Sequence, residues 1–148
     1  IQALQPGAED RALVVAAGRG YGASLLAGMV KEVVAVESDS ALAGAANQTL
    51  KDLGVANVSL HVGRMEDGAP AAEPYDIVLI EGTVRQVPQT IVDQIAEGGR
   101  LAAIVAGPGL LGVAELLVKE GGVASSRPLF EAGTPPLPGF APAPKFTF

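Results

Sequence analysis

Cysteine is absent from the 148 residues of this chain, and histidine occurs only once, at His61. Without cysteine the chain can form neither a disulfide framework nor a thiolate metal site, and nothing ties it to an oxidising compartment. A single imidazole cannot by itself complete a metal site or a His-based catalytic triad. We therefore predict a cytoplasmic protein with no metal site, and the composition nominates no catalytic residue.

Basic residues are also few, because 10 lysines and arginines stand against 16 acidic residues, which gives a formal net charge of −6. They are scattered along the chain, so no positive surface is offered to a phosphate backbone, and we predict no nucleic-acid partner. The apolar runs are shorter than the roughly 18 residues of a membrane-spanning helix, and no basic segment precedes an apolar block at the start. The sequence predicts no membrane partner either.

What the chain does contain is an alternation of β-type apolar runs with helix-like segments. Strands are predicted at residues 12–17, 33–36, 58–62, 76–80 and 101–105, and helices at residues 21–30, 40–53 and 88–95. Alternation at this spacing favours right-handed crossovers and a doubly wound, mostly parallel sheet. Runs at 113–119 and 123–130, joined through Glu120-Gly121-Gly122, predict an antiparallel hairpin that closes this sheet.

Two helices carry specific expectations. The helix at 40–53 is capped by Asp39 or Ser40, ends before Gly54, and places its apolar side chains on one face, at Leu42, Ala46, Leu50 and Leu53. The next helix begins with Pro88 and turns Ile91, Val92 and Ile95 inward until Gly98-Gly99 ends it. We predict one domain over residues 1–148, with residues 132–148 as a proline-rich extended tail along the surface or over a sheet edge.

The stretch Leu13–Gly22 passes from an apolar strand into alternating glycines and then into a helix, as a nucleotide or cofactor loop does. Glu37 follows Gly18 by nineteen positions and ends the second strand, where a carboxylate accepts hydrogen bonds from the two hydroxyls of a bound ribose. The spacing alone leaves other interpretations open: an ordinary tight turn, a solvated strand-end carboxylate, or a nicotinamide or flavin dinucleotide site.

Five segments together resemble the protein-L-isoaspartate O-methyltransferases: Asp10–Tyr21, Val36–Asp39, Asn57–Leu60, Pro74–Leu79 and Glu97–Leu101. The likeness covers nearly the whole chain, in order and spacing more than in any one motif. It implies a Rossmann-like class I fold that binds S-adenosylmethionine, with a seven-stranded sheet in the order 3-2-1-4-5-7-6 and an antiparallel last strand. The implied reaction is methyl transfer to the carboxylate of isoaspartyl residues in damaged proteins, so an isoaspartyl-containing protein or peptide is the expected partner.

The resemblance also implies roles for particular residues. The loop from Ala16 to Tyr21 would hold the methionine part of the cofactor, Glu37 the ribose, and Arg64-Met65 the sides of the adenine, while Glu81 follows strand four where the methyl group is transferred. The cofactor-binding residues implied in this way are Ala16, Gly18, Gly20, Tyr21, Glu37, Ser38, Arg64, Met65 and Glu81.

Three of the cofactor positions depart from the family pattern. The family usually has an acidic residue where this chain has Val14, a glycine where it has Ala16, and an aspartate where it has Arg64. Ala16 can serve if its φ angle is negative, but a guanidinium cannot accept a hydrogen bond from an adenine amino group. Glu66 or Asp67 is the alternative acceptor for that amino group.

Two further expectations concern activity. The family's catalytic serine or threonine lies upstream of the glycine loop, in a part that this chain does not contain, so we expect an N-terminal segment to be missing and this chain alone to show little activity. Two alternatives to a methyltransferase remain: a non-catalytic interaction module on the same fold, and an NAD-dependent oxidoreductase. The sequence leaves the oligomeric state open.

Overall fold

The computed structural model describes residues 1–107 and 111–140, which form a seven-stranded sheet with helices on both faces. Its strands are β1 Arg11–Val15, β2 Glu32–Glu37, β3 Val58–Val62, β4 Tyr75–Val84, β5 Ile95–Ala106, β6 Gly112–Glu120 and β7 Val123–Ala132. Its α-helices are α1 Tyr21–Ala27, α2 Ser40–Asp52 and α3 Gln89–Asp93, and 3₁₀ turns occur at Gln2–Leu4, Met65–Asp67 and Pro70–Ala72. No helix in these ranges is long and apolar enough to cross a membrane.

The sheet confirms the predicted fold class, with one correction to the strand order. Strands β1 to β5 are parallel and β6 and β7 are antiparallel to their neighbours, in the order β3-β2-β1-β4-β5-β6-β7. The expected order 3-2-1-4-5-7-6 is therefore wrong at its last two places. Only residues 107–111 connect β5 to β6, and a parallel crossover needs a dozen or more residues. So short a connection returns the chain beside β5, and β7 then pairs with the outer side of β6.

The central strands are apolar throughout because both faces of the sheet are covered. In β1, Leu13 and Val15 belong to the core cluster on the face that α3 covers, whereas Ala12 and Val14 belong to the cluster on the α1 face. Adjacent residues of a strand point to opposite faces, so a continuous apolar run fills both clusters at once. This explains why the runs at the predicted strands lack polar alternation.

Helix α2 confirms its predicted ends but not its predicted inner face. The Asp39 carboxylate caps the helix by accepting hydrogen bonds from the backbone N–H groups of Ala41 at 2.7 Å and Leu42 at 3.1 Å, and Gly54 adopts a φ of +68° just beyond its end. Two of the four leucine and alanine residues expected inside are exposed, Leu42 by 39% and Leu53 by 61%.

The buried face of α2 instead consists of Ala43, Ala46 and Leu50. A Cβ atom added to Gly20 would lie 3.3 Å from the Ala46 Cβ. The helix therefore approaches the loop after β1 closely, and small side chains fit this contact while a leucine does not. Leu42 is left partly exposed beside this buried face, and Leu53 is the C-cap, beyond the last residue of the helix.

Helix α3 is shorter than predicted. It ends at Asp93, Pro88 is its N-cap rather than its first residue, and Ile95 begins β5 instead of extending the inner face of the helix. The helix ends early because the following residues pair with β4. The Tyr75 backbone N–H donates to the Gln94 carbonyl at 2.9 Å, and Tyr75 lies opposite Ile95. The Lys119 ammonium also donates to the Ile95 carbonyl at 2.9 Å.

The sheet has two outer strands, β3 and β7. Strand β3 is only partly buried. Val58 and Leu60 are partly buried, as their alternation with polar residues predicts, but Val62, expected on the same side, is 59% exposed. Strand β7 contains Pro128, and its pairing with β6 shifts register between Ala114 and Glu115.

The proline-rich tail runs extended beside the end of β4 up to Leu137, and a turn follows at Pro138-Gly139. The Thr83 backbone N–H donates to the Pro135 carbonyl at 3.1 Å, and the Leu137 N–H donates to the Thr83 carbonyl at 2.8 Å. The tail thus crosses the carboxyl end of β4. The rest of the predicted tail, including its prolines at 142 and 144, lies outside the described residues.

Candidate functional site

The Glu37 carboxylate stands at the carboxyl end of β2 and joins this strand to the loop after β1. Its Oε2 accepts a hydrogen bond from the Gly18 N–H at 2.8 Å, and its Oε1 accepts one from the Asp39 N–H at 3.0 Å and lies 3.5 Å from the Ser38 hydroxyl. The side chain is buried, with 4% exposed. Because a carboxylate has about four acceptor positions, two backbone donors orient it and leave capacity for further hydroxyl donors.

The glycine loop, residues 16–22, takes a left-handed conformation at three alternating positions. The φ angles are +63° at Ala16, +54° at Gly18 and +86° at Gly20. Ala16 therefore does not meet the condition, a negative φ, under which it could replace the family's glycine without strain. The positive φ of Ala16 follows from the next residue, because the Ala17 N–H donates to the Val36 carbonyl at 3.1 Å and so turns the chain toward β2. A residue with a Cβ in this region carries a strain of about 1–2 kcal/mol.

Val14 occupies a fully buried, apolar place in the sheet. It lies between Ala35 of β2 and Leu79 of β4, with no exposed surface. Residues two apart in a strand share a face, so Glu81, which follows Leu79 by two, is on the same face as Val14. This chain therefore lacks a carboxylate at Val14 but has one at Glu81, on the same face of the neighbouring strand and closer to the carboxyl end of the sheet.

Glu81 packs against the start of α1. A Cβ atom added to Gly22 would lie 2.6 Å from the Glu81 Cδ and 2.9 Å from its Oε2, so only glycine leaves room for this carboxyl. Burial raises the pKa of Glu81 to about 7, partly opposed by a hydrogen bond with the Gly22 backbone. At neutral pH the carboxyl is therefore present in comparable amounts as acid and as carboxylate.

Glu81 also lines a cavity of about 870 Å³ on the α1 side of the sheet. Apart from Glu81 and Glu115 the walls are largely apolar, and they include Tyr21, Leu25 and Phe130. The Tyr21 ring is 74% exposed. Among the described residues, no lysine or arginine lines this space.

The loop after β3 separates the two residues expected beside the adenine. Met65 is buried, with 3% exposed, and belongs to the core cluster that includes Ala16. Arg64 points into solvent, where its guanidinium pairs with Glu66 at 2.7 Å and with Asp67 at 3.5 Å. Arg64 therefore forms ion pairs with both Glu66 and Asp67, the two residues considered as alternative acceptors for the adenine amino group.

A second cavity, of about 950 Å³, opens on the α3 side at the same end of the sheet. Its walls come from the loop after β3, from the carboxyl end of β4 and from the tail; they include Glu66, Thr83, Arg85, Leu137 and Phe140.

The structure thus gathers most of the expected residues at one edge. Ala16, Gly18, Gly20, Glu37 and Ser38 meet at the ends of β1 and β2, Tyr21 and Glu81 flank the start of α1, and Met65 lies beneath the loop that carries Arg64. Sequence reasoning did not identify Leu137 or Phe140 as parts of this edge, because these tail residues carry no periodic signal.

Comparison with known proteins gives consistent results. The family model for protein-L-isoaspartate (D-aspartate) O-methyltransferase matches residues 1–127. Among curated relatives with that name, the protein of Roseiflexus castenholzii is 39% identical over 107 residues, which is 72% of this chain and 49% of the relative. The Methylorubrum populi protein is 44% identical with the same coverage, and the Azorhizobium caulinodans protein is 32% identical over 92% of this chain and 63% of its own.

Solved structures show the same fold. A protein-L-isoaspartate O-methyltransferase superposes with a TM-score of 0.85 at 25% identity, covering 93% of this chain and 45% of that one. A Plasmodium falciparum protein assigned to the same enzyme class, in complex with S-adenosyl-L-homocysteine, gives a TM-score of 0.74 at 20% identity, with 92% and 68% covered. This chain spans about half the length of the first two curated relatives. With its family match, its relatives and its sheet in agreement, the chain belongs to the protein-L-isoaspartate O-methyltransferase family.

Proposed function

We propose that this chain is the cofactor-binding part of an S-adenosylmethionine-dependent O-methyltransferase that acts on the carboxylate of isoaspartyl residues in damaged proteins. The substrate class follows from the family. On this proposal residues 1–148 form one domain, the protein works in protein repair in the cytoplasm, and its partner is an isoaspartyl-containing protein or peptide.

The observation that carries the proposal is the arrangement around Glu37. A buried carboxylate with spare acceptor capacity ends β2 and is tied by hydrogen bond to Gly18, within a loop that turns left-handed three times. This combination fits a ribose held by two hydroxyl hydrogen bonds beside a backbone that a ligand can approach closely. We assign Glu37 and Ser38 to the ribose, and Gly18, Gly20 and Tyr21 to the methionine part.

Two positions fit the cofactor less well than they do in the family pattern. Ala16 narrows the loop by one Cβ atom, and Arg64 offers no acceptor to an adenine amino group. Neither change removes the Glu37 carboxylate or the backbone donors of the loop. We therefore expect S-adenosylmethionine binding to be weakened and not abolished. We assign Met65 and Arg64 to the adenine side.

The bound cofactor would supply an electrophilic methyl group on a sulfonium. An isoaspartyl carboxylate is already ionised at neutral pH, so the chain needs to align it and needs no general base. The acid form of Glu81 can donate a hydrogen bond to such a carboxylate, whereas its ionised form repels it. A pKa of about 7 therefore makes Glu81 a pH-dependent positioning group at the transfer side.

Calorimetric titration with S-adenosylhomocysteine, run beside NAD, tests the cofactor assignment. We expect saturable binding of S-adenosylhomocysteine and none of NAD. The variant Glu37→Gln should weaken this binding by roughly tenfold or more, the value of a charge-assisted hydrogen bond.

The matched control is Glu32→Gln, at the opposite end of the same strand, where the carboxylate pairs with Arg11 at 3.0 Å. Its affinity should equal that of the wild type. Equal affinity in Glu37→Gln would remove the ribose assignment. Binding of NAD alone would favour the oxidoreductase, and binding of neither ligand would favour the interaction module; the comparisons favour neither alternative.

A further inference from the structure

Residues 134–140, here called the strap, are anchored firmly to one residue of β4. Besides the two backbone hydrogen bonds of Thr83 with Pro135 and Leu137, the Thr83 hydroxyl donates to the Thr134 carbonyl at 2.9 Å. The hydroxyl oxygens of Thr83 and Thr134 also lie 2.8 Å apart. Four hydrogen bonds on a single residue make the start of the strap a fixed part of the sheet edge.

The middle of the strap covers the backbone that follows Glu81. A Cβ atom added to Gly82 would lie 2.5 Å from the Leu137 Cγ and 3.0 Å from its Cδ1. Leu137 therefore rests directly on the main chain at the end of β4, where it lines the second cavity.

The far end of the strap reaches the loop after β3. Phe140 is 6% exposed and belongs to the same core cluster as Met65 and Ala16. A Cβ atom added to Gly139, whose φ is +86°, would lie 2.6 Å from the Glu66 Oε2. The strap thus joins the carboxyl end of β4 to the loop that the adenine assignment uses.

The other anchors of this loop come from the opposite side. The Thr90 hydroxyl of α3 donates to the Glu66 carbonyl at 2.8 Å, and the Gln94 amide bonds the Asp67 carbonyl and the Ala69 N–H. The Tyr75 hydroxyl, at the amino end of β4, donates to the Ala69 carbonyl at 2.7 Å. Without the strap the loop would therefore be fixed against α3 and the amino end of β4, but not against the carboxyl end of β4. The strap also lies beyond residues 1–127, the part that the family model matches.

We propose that the strap positions the adenosyl half of S-adenosylmethionine by holding the loop after β3 at a fixed separation from the end of β4, with Phe140 and Leu137 as positioning residues. This inference rests on the proposed cofactor. The strap residues act through the loop, because Phe140 and Met65 present almost no surface of their own.

The test is titration of the wild type and of Phe140→Ala with two ligands that share the adenosyl group, S-adenosylhomocysteine and 5′-methylthioadenosine. We expect Phe140→Ala to weaken both by the same factor, about tenfold or more, because both ligands carry the adenosyl group that the loop positions. Phe140→Leu, which restores an apolar side chain, should bring both affinities back to within about threefold of the wild type.

A control separates positioning from loss of stability. Leu116→Ala removes a side chain that is as well buried, at 5% exposed, in the other core cluster. It should lower the melting temperature comparably and leave both affinities unchanged. If Phe140→Ala fails to fold, Thr134→Val removes one strap anchor and keeps Phe140, and it should weaken both ligands in parallel.

The outcomes are distinct. If the wild type binds and the strap variants bind equally well, the strap inference is overturned while the proposed function stands. If the variants bind more tightly, the strap obstructs the site and the inference is again overturned. If the wild type binds neither ligand, the proposed cofactor is wrong and the inference falls with it.

Discussion

The partly buried carboxyl of Glu81 makes the stability of the fold depend on pH, and Glu81→Gln should remove the part of that dependence that Glu81 causes. Burial raises the pKa of this group from its ordinary value of 4.5 to about 7. The folded state therefore binds the proton more tightly than the unfolded state does. The stabilisation that comes from this bound proton is complete below pH 4.5 and is lost as the pH rises through 7. The free energy of unfolding therefore falls between about pH 4.5 and pH 7.

The magnitude follows from the size of the pKa change. A rise from 4.5 to about 7 corresponds to roughly 3 kcal/mol. Part of the side chain faces the cavity on the α1 side, and screening by solvent there reduces the expected effect to about 2 kcal/mol. Glutamine has nearly the same shape and stays neutral, so it keeps the contact with Gly22 without the cost of ionisation.

Urea denaturation at pH 5 and at pH 8 measures this directly. The wild type should lose about 2 kcal/mol more between the two pH values than Glu81→Gln does. The matched control Glu115→Gln, on the wall of the same cavity, keeps Glu81 and should keep the slope that Glu81 produces. An identical difference between pH 5 and pH 8 in the wild type and in Glu81→Gln would refute the reasoning.

Three further predictions concern the loop after β1 and the helices beside it. Ala16→Gly should raise the free energy of unfolding by about 0.5–1 kcal/mol, because relief of left-handed strain exceeds the added chain entropy; a loss of stability in urea denaturation would show that Ala16 is unstrained. Gly22→Ala should lower it by about 1–3 kcal/mol through the clash with the Glu81 carboxyl. Adding Glu81→Ser in the same chain should restore most of this loss, and no restoration would rule out the clash. Asp39→Ala should cost about 1 kcal/mol by removing the cap of α2, while Ser40→Ala, one position later, should change thermal unfolding little.

Much of the fold could be predicted because the parallel strands carry their own signal. A run such as Val33–Val36 is apolar at every position only when both faces are covered, and Asp39 and Gly54 mark the ends of α2 by local chemistry. Sequence-based predictions were wrong where contacts between distant residues decide the structure. Ile95 was predicted in a helix but begins β5, because it pairs with Tyr75 across the sheet.

The candidate site also has features that local sequence pattern predicts and features that distant contacts set. Glu37 could be predicted from its spacing to Gly18, since a strand end and a glycine loop are fixed by local pattern. The φ of Ala16 could not, because a hydrogen bond to β2 sets it. The contact of Glu81 with Gly22, and the course of residues 134–140 across β4, join segments far apart in the chain and have no periodic signature.

The outer strand β7 has a consequence for self-association. A sheet edge presents unpaired N–H and C=O groups to any extended chain in solution, and this is the usual route to edge-to-edge aggregation. Pro128 supplies no N–H donor, and the register shift beside it interrupts the regular spacing of the remaining groups. An incoming strand could therefore pair only in short stretches on either side of Pro128. This local interruption lets the described sheet end in a strand as long as Val123–Ala132 without offering a continuous template for polymerisation.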